Sequence, residues 1–402
     1  GRGSLGHPAR SLPITSAASC TAAPTRVVRL TFWDGNASMK ITRVETIVTS
    51  MPMALKGDTP FMAGKPRTSI ETLYVKVETD AGITGWGESF GNRIWPATKA
   101  AIDTLIGPAC VGLDALAIPS VMTHLQRTMQ SAGRNGPAMF GLSGIDIALW
   151  DIAGKAANVP VHRLLGGAPR TSLPAYASLL RYGNAEALKR NTADALDRGY
   201  RHIKIHEITV PEVKAAREAA GDDIPLMVDT NCPWTVREAI EMSLAFEPYA
   251  PHWIEEPVWP PENVLGLAEV RDCTGMSIAA GENVGNYADF QRLFEAEAVP
   301  FAQPSVIKMG GITEMRKVIS LAEAYGVEVV PHSAYFGPGL IASIHVLAAL
   351  ASETTVERFY CEFAENPLGD RIDAADGRIR VPQEPGLGAD PDMKVLEKLR
   401  IA

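Results

Sequence analysis

The sequence predicts an α/β protein: a barrel of alternating strands and helices, preceded by a smaller region of strands and then helices. Three observations carry the prediction. From about residue 171 to residue 363, eight short apolar runs alternate with helical stretches, the pattern of parallel strands joined by helices. Nearly every one of those runs ends in an ionisable side chain. Upstream, residues 39–90 alternate with period two, and residues 97–165 carry helical periods.

Residues 1–38 are rich in small residues and show no sustained period. They are expected to be a leader or extension outside the fold, with Met39 as the natural start. Residues 11–24 are too polar for the apolar segment of an export signal. A strand pattern opens at Lys40-Ile41-Thr42-Arg43-Val44-Glu45-Thr46. Residues 73–79 alternate, Asp80-Ala81-Gly82 turns the chain, and residues 83–88 return as a hairpin. Between these lies a long loop, residues 51–68, with Gly57, Pro60, Gly64 and Pro66. Such loops are often lids, and Phe61 and Met62 are its candidate apolar closers.

Residues 143–157 form the clearest helix, with an apolar stripe of Ile145, Ile147, Ala148, Ile152 and Ala153. Barrel strands are placed at 173–177, 202–206, 226–229, 252–256, 277–282, 302–308, 327–332 and 359–363. Helices at 213–220, 236–246, 287–297 and 312–325 fill most of the gaps. Eight units over about 200 residues suit a barrel, whose usual length is about 250. An open doubly wound sheet lacks support, because no GxGxxG or GxxxxGK follows any strand.

Composition narrows the function classes. The 402 residues suffice for two domains, and 46% hydrophobic with 21% charged content is ordinary for a globular protein. The formal charge of −8 comes with no basic block, so nucleic acid and anionic membranes are poor partners. No apolar run approaches the roughly 20 residues that span a bilayer. The five cysteines, Cys20, Cys110, Cys232, Cys273 and Cys361, are scattered and form no CxxC pair. A reducing cytoplasm fits that usage better than a disulfide framework.

The chemistry is expected at the strand ends. Strand two ends Lys204-Ile205-His206, strand three at Asp229, strand four at Glu255 and strand five at Glu282. Strand six ends at Lys308, strand seven at His332 and strand eight at Glu362. From 229 to 255 is 26 residues, then 27 to 282, 26 to 308 and 24 to 332, about one β/α unit each time. In a parallel barrel these ends converge on one mouth. Three carboxylates in a mostly dry mouth cannot all stay ionised without a cation. Hard oxygen donors without Cys or paired His favour Mg²⁺ over zinc. Asp229, Glu255 and Glu282 are therefore the expected ligands. The bland alternative, solvated strand-end acids in salt bridges, fits one acid better than three on consecutive strands.

The motifs also resemble a known family. Ser143-Gly144-Ile145-Asp146-Ile147-Ala148-Leu149-Trp150-Asp151-Ile152-Ala153-Gly154-Lys155, followed by Leu164-Leu165-Gly166-Gly167, is similar to a signature helix of the enolase superfamily, in its mandelate racemase and muconate lactonizing enzyme branch. Trp253-Ile254-Glu255-Glu256-Pro257, Gly281-Glu282-Asn283 and Lys308-Met309-Gly310-Gly311-Ile312 resemble that branch's metal and sixth-strand motifs. The resemblance runs from Met39 to Ala402. It implies a (β/α)₇β TIM-like barrel under an α+β cap, with residues 39–168 plus about 366–402 as cap and 169–365 as barrel. It implies one Mg²⁺ per subunit and a homo-oligomer, from dimer to octamer.

It also implies abstraction of the α-proton of a small carboxylate by a Lys or His base, with Mg²⁺ stabilising the enediolate. The branch usually carries Lys-x-Lys on strand two, and here the motif is Lys204-Ile205-His206. His206 takes the base position and Lys204 neutralises the substrate carboxylate; a histidine can act as base or acid near neutral pH. A packed histidine on a barrel strand is the plain alternative. His332 matches a seventh-strand histidine that pairs with a sixth-strand Asp, but Ser305 stands at the Asp position. Lys308 is either a second base or a structural lysine. Glu362 matches an eighth-strand acid that would hydrogen-bond the enediolate. Asn231 is expected to assist carboxylate or metal binding, and Glu256 to point away from the mouth. Phe61, Tyr335 and Trp234 are candidate substrate contacts, with ordinary loop packing as the alternative. Dehydration of a hydroxy acid or acid sugar, with His332 as acid, is the leading expectation. Racemisation or epimerisation of a hydroxy or imino acid comes second, and a non-catalytic binding relative third.

Overall fold

Close backbone approach dictates how the N-terminal layer packs. Three strands, Ile41–Pro52, Ser69–Thr79 and Thr84–Ser89, form an antiparallel sheet in that order. Helix Pro137–Ala157 lies across the third strand. A Cβ on Gly85 would stand 2.1 Å from the carbonyl oxygen of Ala148, and one on Gly87 would stand 1.9 Å from that of Gly144. Only glycine fits at either position, so Gly-x-Gly sets the helix against the sheet. Alternation then divides the strands. Leu73, Val75 and Val77 pack under that helix, while Ile47, Tyr74 and Trp86 meet Leu396 on the other face. Leu396 belongs to the last helix, Met393–Leu399, so the C-terminus completes the cap.

The computed structural model describes residue 1 and residues 38–55, 57–62 and 64–402. The expected leader, 1–38, thus lies almost wholly outside the described residues. The predicted turn at Asp80-Ala81-Gly82 is present, with Gly82 at φ 75° and its N–H donating to the carbonyl of Thr79. The signature helix starts six residues earlier than periodicity indicates, because Pro137 is a favourable first residue and glycines dilute the apolar stripe there.

Eight parallel strands follow: Ser172–Ser178, Ile203–Ile205, Leu226–Asp229, Trp253–Glu255, Ile278–Ala280, Phe301–Ala302, Glu328–Val329 and Val356–Phe359. Strands one to seven pair in sequence order, and strand eight pairs with strand one. The seven intervening helices are Ala185–Asp197, Val210–Ala220, Val236–Phe246, Val264–Thr274, Tyr287–Glu295, Gly311–Tyr325 and Pro338–Ala348. This is the (β/α)₇β order. Among the described residues no backbone ladder joins strands seven and eight. Side chains close that seam: Ser333 donates from its N–H to Glu357 Oε2 at 2.7 Å and from its hydroxyl to the Glu357 carbonyl at 2.9 Å.

Inside the barrel, Tyr176, Met227, Trp253, Ala279 and Val330 form a separate apolar layer. Strand residues repeat on one face every second position. Two positions on from that layer stand Ser178, Asp229, Glu255 and His332, which places polar groups at the mouth above a dry plug. The cap is bound to the barrel by buried polar contacts. Ser143 accepts from Gly310 N–H at 2.8 Å, Asp146 from Thr313 N–H at 3.0 Å, and Glu88 from Gly339 N–H at 2.9 Å. Burial raises the Asp146 carboxyl to about 7. No helix among the described residues is long and apolar enough to cross a membrane.

Candidate active site

Charged groups at or just beyond most strand ends converge. Asp229 pairs directly with Glu255 in the ladder between strands three and four. Glu282 follows Gly281, whose φ of 140° bends the chain back over the mouth. One carboxylate oxygen from each of Asp229, Glu255 and Glu282 lies within 4.8 Å of the others. Lys204 reaches into the same space with no exposure to solvent. Its Nζ stands 2.8 Å from Glu255, 2.8 Å from Glu357 and 3.4 Å from Asp229.

Histidines approach from two sides. His206 Nε2 is 3.1 Å from Asp229 Oδ2, and its Nδ1 faces the carbonyl of Leu179. His332 Nε2 is 3.0 Å from Glu282 Oε2, and its Nδ1 is 3.3 Å from the Ser305 hydroxyl. Lys308 lies in the turn after strand six, 3.7 Å from Glu282 and 3.1 Å from Asn283 Oδ1. Asn231 holds Asp229 in place, donating from its backbone and its side chain to Oδ1 at 3.0 and 2.7 Å. It takes a left-handed φ of 55°, a conformation asparagine tolerates.

The electrostatics call for a cation. Burial pushes the Glu255 carboxyl well up, and the neighbouring Asp229 charge adds to it. Burial also works against ionised Asp229, but His206 and Lys204 outweigh it and hold that carboxyl low. Burial lowers the Lys204 amine, but Glu255 and Glu357 more than reverse this and keep it charged. Glu357 is held at about 2, since Lys204 and His332 overcome the cost of burial. Counted as ionised, Asp229, Glu255, Glu282 and Glu357 outnumber the lysines Lys204 and Lys308 by two, and without a metal that excess falls on His206, His332 and the raised Glu255 carboxyl. Asp229 Oδ2 is buried and accepts no hydrogen bond. A hard dication among three carboxylates answers both conditions, so the residues fit Mg²⁺.

Several expectations need correction. Glu362 is not the eighth-strand acid of the mouth. Strand eight runs Val356–Phe359, and Glu362 lies beyond its end, paired with Arg198 beside a different cavity of about 410 Å³. Glu357, fully buried on strand eight, meets Lys204 below the mouth instead. The signal was present: Glu357 lies 25 residues after His332, within the repeat, whereas Glu362 lies 30 after it. Trp234 packs on Phe246 at 6.1 Å against the barrel core and does not line the mouth cavity. Strand six ends at Ala302, so Lys308 is a turn residue. Glu256 has φ 44°, which breaks strict alternation. It is buried beside Cys232 and accepts from Asn283 at 2.6 Å, and burial together with Glu282 raises it to about 8.

The mouth cavity measures about 160 Å³. His206, Asn231, Glu282, His332 and Tyr335 line its floor, and Phe61, Met62, Arg67, Glu88 and Phe90 line its roof. Tyr335 is fixed by its hydroxyl donating to the His332 carbonyl at 2.9 Å. Phe61–Met62 and Lys65–Pro66 form a short hairpin in the predicted lid. Its Phe61 N–H donates to the Arg181 carbonyl at 2.8 Å, which pins the lid to the loop after strand one. Arg67, Arg181, Glu88 and Glu357 escaped the sequence reading. None ends an apolar run, and the first three act across the cap interface.

A capped barrel with three acids at the ends of consecutive strands defines a class of metal-assisted proton-abstraction enzymes. Comparison with known proteins is specific. Residues 43–166 match the mandelate racemase/muconate lactonizing enzyme N-terminal domain, and residues 187–395 match the enolase C-terminal domain-like family. The D-galactarolactone cycloisomerase of Agrobacterium fabrum is 32% identical over 385 residues, covering 90% of this chain and 99% of that protein. The D-galactonate dehydratase of Ralstonia pickettii is 34% identical over 345 residues, covering 80% and 88%. The crystal structure of L-talarate dehydratase from Polaromonas sp. JS666, with magnesium and L-glucarate, superposes with a TM-score of 0.79 at 31% identity, covering 91% of this chain and 98% of that one. The chain belongs to the mandelate racemase/muconate lactonizing enzyme branch of the enolase superfamily.

Proposed function

We propose that the chain is a Mg²⁺-dependent acid-sugar dehydratase. The observation that carries this reading is the trio of carboxylate oxygens within 4.8 Å, flanked by His206 on one ligand and His332 on another. Asp229, Glu255 and Glu282 would hold one Mg²⁺ per subunit, which supplies the positive charge that stabilises an enediolate. Lys204 neutralises the reacting carboxylate. His206 takes the α-proton, with Lys308 as the rival base. His332, on the other side, protonates the departing β-hydroxyl, so water leaves and the enol product becomes a 2-keto-3-deoxy acid. Asn231 keeps Asp229 oriented, and Glu357 keeps Lys204 charged. Phe61 and Tyr335 bound the substrate from lid and floor. The barrel, 169–365, supplies chemistry, and the cap, 39–168 with about 366–402, supplies selection. Three of the relatives are named as dehydratases of arabinonate, galactonate and talarate or galactarate, which supports the acid-sugar assignment.

A panel of acid sugars with Mg²⁺, read by trapping of the 2-keto product, tests the proposal. Keto acid released only with metal supports it. Incubation in D₂O separates the second reading: an intact skeleton carrying α-deuterium indicates epimerisation, which two histidines on opposite sides also permit. The working form is a homo-oligomer in a reducing cytoplasm. Light-scattering mass in solution checks the first, and the free thiols of Cys110, Cys232, Cys273 and Cys361 agree with the second.

A further inference from the structure

The mouth cavity holds a cation that forms no ion pair among the described residues, although Glu71 also lines that cavity. Arg67 projects into it from the cap, beside the lid hairpin. Its guanidinium donates to the Met62 thioether at 2.8 Å and, at the long distance of 3.4 Å, to Asn92 Oδ1. It also lies 5.7 Å over the Phe359 ring. Among the described residues no carboxylate forms an ion pair with it, and Glu71 acts on it only through space. Burial pulls this guanidinium down from its ordinary value, a sign that the site is short of compensating charge.

Arg181, the other arginine of the cavity, is different. It already donates to the carbonyls of His206 and Thr230 and to Asn231 Oδ1. Its fork is engaged at the metal end. Arg67 has five donors and only one short contact, to a sulfur. A guanidinium is shaped for bidentate capture of a carboxylate. A half-buried one that meets only a thioether, an amide and a ring face keeps its fork free to pair with an anion. The metal end already carries what one substrate carboxylate needs, so Arg67 serves a second anionic group.

We propose that the substrate carries a carboxylate at both ends, that is, a sugar dicarboxylate, and that Arg67 binds the end remote from the reacting carbon. This rests on the acid-sugar reading above and narrows it to one class. Arg67 then acts in specificity and does not touch the reacting atoms.

Sugar mono- and dicarboxylates of matched configuration, such as galactonate and galactarate, are compared on the Mg²⁺-loaded enzyme. The dicarboxylate is expected to show the higher kcat/KM, by about 10- to 100-fold, the range for a hydrogen bond to a charged group. R67M should collapse that ratio toward one, chiefly through KM, and R67K should retain part of it. Equal use of both acids, or a ratio unmoved by R67M, overturns the inference while leaving the dehydratase reading intact. Should no acid sugar turn over, that reading fails, and calorimetric titration of galactarate against galactonate decides the inference alone. Tighter galactarate binding that is lost in R67M upholds it; equal affinities, or a preference R67M retains, defeat it.

Discussion

The floor and the roof of the mouth cavity are built on opposite principles. On the floor each histidine leans on an acid, and directly beneath it Lys204 is hemmed by three carboxylates. On the roof, Arg67 meets a sulfur, an amide and a ring. Floor groups come from consecutive barrel strands, whose pairing register brings them together. Roof groups come from the lid and the cap strands, whose positions depend on loop path. A dense ionic floor defines what chemistry occurs, while a cation overhead with no ion pair among the described residues is an opening for a particular ligand.

The largest effect should follow from emptying the floor. Chelation with EDTA should abolish turnover, and added Mg²⁺ should restore it. E255Q should cost about 10³-fold or more in kcat, comparable to losing a preorganised electrostatic group. Unchanged activity in chelator would break the contrast outright. H332N should lower kcat by about 10²- to 10⁴-fold, the range for a positioned proton donor, with Mg²⁺ affinity measured alongside to separate lost chemistry from lost metal.

Next comes a pair of glutamates. E357Q leaves the buried Lys204 short of one partner and should lower unfolding stability by about 3 kcal/mol in urea. E362Q removes an ion pair whose acid is 41% exposed, and should cost less than about 1 kcal/mol. Equal losses would put strand eight in the wrong register.

The smallest effect concerns pH. Asp146 is held at about 7 by burial, above its ordinary value. A raised carboxyl binds its proton more readily folded than unfolded. It therefore favours the folded state below about pH 4 and loses that contribution as pH rises through about 7. Melting temperature should fall across that window, and D146N should flatten the slope. An identical slope in D146N would show that the buried cap contact does not titrate.

What was legible in the sequence was mainly what the barrel repeats. Asp229, Glu255 and Glu282 recur at one β/α unit, and a parallel barrel brings such positions together. Glu357 obeyed the same spacing, but the run Thr354-Thr355-Val356-Glu357-Arg358-Phe359 has an acid inside it and no acid at its end. The later Cys361-Glu362 resembled the family motif better, and the register slipped. Arg67 was invisible for another reason. Its role depends on a hairpin folding over the mouth, and nothing in residues 51–68 encodes which side chain will look down. Trp234 shows the reverse, a conspicuous aromatic after strand three that simply packs on Phe246.

Glu357 has one further consequence. The same carboxylate that steadies Lys204 also accepts Ser333 N–H across the only gap between neighbouring barrel strands without a backbone ladder among the described residues. Part of the ring closure and part of the charge balance thus share a single side chain. Drift at position 357 therefore touches catalysis and the barrel wall together, with the Ser333 hydroxyl bond to the residue 357 carbonyl left to hold the seam.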